Sequence, residues 1–125
     1  MNLEKVFFGF FIVLALTLNV AFVIGDIGNP EHHSIWILFA AVVVNLIATV
    51  LKLGDRSQTG ALLLATALVA DLQLLGSALI WTFADSSVPL SAGAMTTIVS
   101  LAYGALVANV VSVTLLVSDT LMAGR

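Results

Sequence analysis

The stretch GALLLATALVADLQLLGSALIWTF, residues 60–83, decides how the rest of the chain is read. About 20 apolar residues suffice to cross a hydrocarbon core roughly 30 Å thick, and the only charged side chain in this run is Asp71. Hydrocarbon offers backbone N–H and C=O groups no water, so such a segment crosses as an α-helix that meets its own hydrogen bonds. Residues 6–24, 35–53 and 94–117 form apolar runs of similar length on either side. The expected fold is an all-α membrane protein: one domain, residues 1–125, of four transmembrane helices in an up-down bundle.

Composition points the same way. Of 125 residues, 61% are hydrophobic and 9% charged, which is too little polar surface to cover a soluble globule of this size. No long polar tract rich in Gly, Ser or Pro interrupts the pattern, so neither a linker nor a disordered tail is expected. The basic residues Lys5, Lys52, Arg56 and Arg125 are scattered and could not neutralise a row of phosphates, which argues against nucleic acid as a partner. With no cysteine in the chain, disulfides, thiolate metal sites and a thiol nucleophile are excluded. The first apolar run exceeds the ~7–15 residues of a signal-peptide core, and no A-x-A pattern follows it, so it is expected to be retained.

Each run is followed by a small residue and an acid: Gly25-Asp26, Gly54-Asp55, Ala84-Asp85 and Ser118-Asp119. These read as exits into water, glycine being suited to the left-handed residue that often closes a helix. The loops holding Asp26 and Asp85 carry no Lys or Arg, whereas Lys5, Lys52, Arg56 and Arg125 flank the other ends. The positive-inside rule then places both termini in the cytoplasm. Trp36 and Trp81 fall at the non-cytoplasmic interface, and Lys52 can snorkel toward the cytoplasmic headgroups. Phe7, Phe8, Phe10 and Phe11 read as lipid-facing.

Apolar side chains gain nothing by leaving lipid for one another, so small and polar residues mark the helix contacts. The last run carries Ser100, Gly104, Ala108 and Ser112 at four-residue spacing, a ladder that lets another backbone approach. The second offers Ala41, Asn45, Ala48 and Thr49, and the first Ala15 and Asn19. At ~100° per residue, the third places Thr59, Thr66, Val69, Ala70, Gln73, Gly76 and Ser77 on one side. Asp71 lies on nearly the opposite side with Gly60, Ala67, Ala78 and Thr82. Two packing faces on one helix call for two neighbours, and a further copy or another membrane protein is the expected second one.

Asp71 is the candidate proton or ion site, with Asn45 and Tyr103 at similar depth as its expected partners. An acid at a helix centre costs about 2.5–3.5 kcal/mol, while each Leu or Ile of the same run returns roughly 0.3–0.6 kcal/mol. The helix therefore inserts without needing a functional reason, and the acid is expected to carry its proton. Glu31-His32-His33 holds metal-capable groups, but three adjacent residues lack zinc-site spacing, so no metal is expected. No serine sits in a G-x-S-x-G elbow and no nucleotide loop is present, so neither an enzyme nor a cofactor is expected.

Three stretches, MNLEKVFFGFF at the N-terminus, NLIATVLK from Asn45 and LVADLQL from Leu68, together resemble an uncharacterised family of short bacterial inner-membrane proteins. That resemblance implies four membrane helices, a bacterial inner-membrane location and no assigned activity. An association with potassium-channel systems comes from the likeness alone and from no residue of the chain. The functional expectation is a noncatalytic membrane subunit that self-associates or docks on a larger transport or channel protein. The packing face for it comprises Asn45, Asp71, Gln73, Ser100, Gly104, Ala108 and Ser112. The alternative is a small oligomeric proton or cation channel using Asp71.

Overall fold

In the computed structural model, which describes residues 3–84 and 91–123, the apolar runs form α1 (Leu3–Val23), α2 (Ile35–Lys52), α3 (Gln58–Phe83) and α4 (Ala92–Ala123). Each is long and apolar enough to cross a membrane. Serine opens three of them: Ser34, Ser57 and Ser91 accept through Oγ from the N–H groups of Ile37, Gly60 and Ala94. Those contacts meet donors that have no partner inside the helix. Past α1 and α2 the chain turns at Gly25 and Gly54, with φ of 106° and 93°. At Gly25 a side chain is excluded twice, because a Cβ there would also lie 2.7 Å from the Cβ of His32.

One of the four exits differs from the sequence reading. Ser118 and Asp119 are not an exit: α4 runs through them to Ala123. An acid near the water boundary meets solvent without leaving the helix, and Asp119 accepts through Oδ1 from the Thr59 hydroxyl at 3.3 Å. Ala84 closes α3 in extended backbone, while Asp85 lies outside the described residues.

The helices meet as a ring, α1 on α2, α2 on α3, α3 on α4 and α4 on α1. The seam between α3 and α4 is the most extensive, and its pairs run in opposite senses. Thr59 meets Asp119, Thr66 meets Ser112, and the Ser77 hydroxyl donates to the Ile98 carbonyl at 2.8 Å. Thus the Thr59–Ser77 side of α3 faces α4. The opposite side, with Asp71, faces Thr49 of α2, so a helix of the same chain occupies the place that a further protein was expected to fill.

Ser100 requires a correction too. A strict four-residue ladder turns by about 40° per rung on a helix of 3.6 residues per turn, so Ser100 and Ser112 stand about 120° apart. Ser112 and Ala108 are buried, whereas Ser100 faces outward. Gly104 is the close-approach rung: a Cβ there would lie 2.7 Å from Oε1 of Gln73.

At one end of the ring Phe22 packs on Trp81, ring centroids 6.2 Å apart, and on His33 at 5.6 Å. Trp36, at the start of α2, is exposed. His33 reaches the carbonyls of Phe22 (2.6 Å) and Asp26 (2.9 Å) through its two ring nitrogens. Carbonyls only accept, so both contacts are hydrogen bonds at once only when each nitrogen carries a hydrogen. His32 Nδ1 instead accepts from the Asp26 N–H at 2.7 Å. His33 thus ties the loop between α1 and α2 to the end of α1, and His32 closes the loop on itself. Among the described residues no group of three His, Cys, Asp or Glu side chains is placed to hold a metal.

At the other end, Phe7 and Phe10 face outward, but Phe8 is fully buried with Ile12, Ala48 and Leu63. The reading of all four phenylalanines as lipid-facing is corrected there, because Phe8 forms the floor beneath Lys52, whose Nζ lies 4.4 Å from its ring centroid. Lys52 is only 5% exposed, its ammonium lying over that ring and reaching toward Asp55 past the end of α2.

Replacing Gly104 with Leu should displace Gln73, open the α3–α4 seam and lower stability in detergent by about 1–3 kcal/mol. Adding Gln73→Ala should recover part of that loss in an unfolding titration. Equal stability of Gly104→Leu and the parent chain would mean that the seam is not closely packed.

Candidate functional site in the polar layer

Two apolar clusters fill the interior. One contains Phe22, Leu38, Leu74 and Met95, and the other Phe8, Ile12, Ala48 and Leu63. Between them each helix contributes a buried amide or acid: Asn19 from α1, Asn45 from α2, Asp71 from α3 and Asn109 from α4. Cross-helix contacts set their heights. Asp71 lies level with Thr49, Thr66 with Ser112, and Gln73 with Gly104, so the four residues share a band about two helical turns thick.

Asn19 and Asn109 tie α1 to α4. With the Asn19 amide oriented to suit its neighbours, its Nδ2 donates to the Ala102 carbonyl at 3.0 Å. Its oxygen then accepts from Asn109 Nδ2 at 3.0 Å and from the Leu106 N–H at 3.3 Å.

Thr49 ties α2 to α3. Its hydroxyl is in hydrogen-bond contact with Asp71 Oδ2 and, at 2.9 Å, with the main-chain carbonyl of Asn45. A hydroxyl has one proton, and carbonyls and ionised carboxylates only accept. Both contacts hold together when Asp71 carries a proton and donates it to Thr49 Oγ1, while Thr49 donates to Asn45. The neutral acid expected in the bilayer is the form that fits this geometry.

Asn45 therefore enters the arrangement through its backbone, its side-chain Nδ2 donating to the Ala41 carbonyl at 2.8 Å. Tyr103 is not a partner of Asp71. It is 41% exposed on the outer face of α4, because it stands about 100° around the helix from the buried Ala102. Of the expected packing residues, Gln73, Gly104, Ala108 and Ser112 meet at the α3–α4 seam, Asp71 faces α2, and Asn45 is buried in the interior.

Sequence reading overlooked Asn109. The signal was the stripe Ala102, Ala105, Asn109, Ser112, whose alternating steps of three and four keep to one helix face, unlike the four-step ladder beside it. Three buried oxygens have no hydrogen-bond partner among the described residues: Asn45 Oδ1, Asp71 Oδ1 and Asn109 Oδ1. Unpaired buried acceptors mark a place where a water or an ion would be held favourably.

Residues 32–120 match a family of unknown function, DUF6394. The chain belongs to that family. The match spans α2 and α3 and most of α4, so the Thr49–Asp71 contact and the α3–α4 seam both lie within the part that defines membership. No curated protein and no solved structure matches the chain.

Because hydrogen bonds in membranes contribute only about 0.6 kcal/mol on average and at most about 1.7 kcal/mol, the Thr49–Asp71 contact should orient helices more than stabilise them. A double-mutant cycle of Thr49→Val and Asp71→Ala, read by unfolding in mixed micelles, should give a coupling energy in that range. Additive effects would mean that the two side chains do not interact.

Proposed function

We propose that the chain is a noncatalytic integral subunit of a bacterial inner membrane, its helices alternating in direction and both termini cytoplasmic. It self-associates or docks, through α3 and α4, on a larger membrane protein of transport or channel type. A potassium channel is the partner that the family resemblance implies. The observation carrying this reading is a groove of about 250 Å³ on the outer side of the α3–α4 seam. Ala65, Gly104 and Ala108 are its small residues, and Val69, Val107 and Val111 its larger apolar ones. In lipid, close backbone approach over small residues is what draws helices together.

A tagged copy extracted in mild detergent should co-purify with untagged copies or with one larger membrane protein. Ala65→Trp, which fills the groove from an exposed position, should abolish that association while leaving the unfolding transition in place. Purification as a single unaccompanied chain from native membranes, with crosslinking giving the same answer, would sink the proposal.

A second reading rests on the unpaired oxygens around Asp71: a small oligomeric channel or carrier for protons or cations. If it holds, Asp71→Asn should abolish proton or cation flux in reconstituted vesicles while the helices still assemble. Equal flux from the parent chain and this variant would remove Asp71 from any conduction path.

A further inference from the structure

The end of the bundle where α1 begins and α2 ends contains a pocket of about 310 Å³. Lys5, Lys52, Asp55 and Asp119 are its charged lining residues, and Leu63 and Leu116 its apolar ones. A polar hollow beside it shares Lys5, Lys52 and Asp55 and adds Glu4 and Arg56. Both lie at the helix ends, the level at which phospholipid headgroups meet a membrane protein.

Lys52 is more than nine-tenths buried, yet its described hydrogen bond, to Asp55 Oδ2, is 3.4 Å long. That length is weak for an ammonium with three donors, and a buried charge is costly unless well paired. Asp55 is committed elsewhere as well. The Ser57 N–H and hydroxyl donate to its Oδ1 at 2.9 and 2.8 Å, and the backbone contact leads in holding its carboxyl below the usual range. Asp55 therefore stays anionic, anchoring the turn more than it neutralises Lys52. Asp119 receives the long bond from Thr59.

Two ammonium groups and two carboxylates in one lining match neither a simple anion nor a simple cation. A ligand bearing both charges fits. We propose that this pocket binds the headgroup of a zwitterionic phospholipid with a primary ammonium, the phosphatidylethanolamine class. Its phosphate takes the donors of Lys5 and Lys52, and its ammonium donates to Asp119, both as charge-assisted hydrogen bonds. A quaternary ammonium is recognised by aromatic faces, and the pocket lining carries none, which separates this class from choline lipids. Basic pockets between membrane helices bind anionic lipid headgroups, and the carboxylates of this lining add the acceptors that a headgroup ammonium requires. The inference goes beyond the docking role and does not depend on it.

The full chain, purified and stripped of lipid in detergent, would be titrated with phosphatidylethanolamine, phosphatidylcholine or phosphatidylglycerol and read by native mass spectrometry. Retention of the ethanolamine lipid at roughly tenfold lower concentration than the other two is expected, the scale of one charge-assisted hydrogen bond. Soluble glycerophosphoethanolamine should compete and inorganic phosphate should not, which separates a headgroup site from a phosphate site. Lys5→Ala and Asp119→Asn should each remove most of the preference with helix content unchanged, and Lys5→Arg should keep it. Equal retention of the three lipids, tighter phosphatidylglycerol binding, or an unchanged preference in both variants would overturn the proposal. Should a variant lose its helices, the lipid ranking of the parent chain decides alone.

Discussion

A lipid tail is as apolar as a leucine side chain, so burying leucine between helices gains little over leaving it in the bilayer. Every helix contact in this bundle answers to that constraint. α3 and α4 meet where Gly104 leaves room for Gln73 and where hydroxyls face each other at Thr66 and Ser112. α2 meets α3 through Thr49 and Asp71, and α1 meets α4 through Asn19 and Asn109. The large exposed residues, among them Leu72, Leu79 and Val107, cover the outside, where they cost nothing.

The polar layer follows from the same physics. Asn19 with Asn109 gives the α1–α4 seam, and Asp71 with Thr49 the α2–α3 seam, a directional contact that apolar packing lacks, and such contacts fix rotation as well as height. Asp71 suits such a layer because a carboxyl, when it carries its proton, can both donate and accept, as an amide does. The oxygens left unpaired at Asn45, Asp71 and Asn109 place the polar capacity in excess of what the bundle itself uses. The helix ends obey a different balance: water and headgroups are within reach, so lysines and aspartates line a pocket there.

Much of the fold was legible because hydropathy and chain direction are local properties. The starts of all four helices fall within three residues of the apolar runs, and the glycines expected to turn the chain at 25 and 54 do so. The site was legible in part. Asp71 and Asn45 were found from depth, and the Gln73 face of α3 from periodicity. Asn109 was passed over, because a ladder of small residues at four-residue spacing resembles a seam until its drift around the helix is counted.

The sequence by itself determined that the chain has four apolar helices, where each begins, and that α3 has two faces built for contact. It also placed a single acid at mid-depth, since burial in lipid is read from composition along one segment. Only the tertiary structure decided which face meets which neighbour. It put α2 against the Asp71 face, turned Tyr103 and Ser100 outward, and folded Phe8 inward beneath Lys52. The physical reason is that rotation about a helix axis costs almost nothing in a uniformly apolar solvent. Only the simultaneous closure of all four seams selects one arrangement.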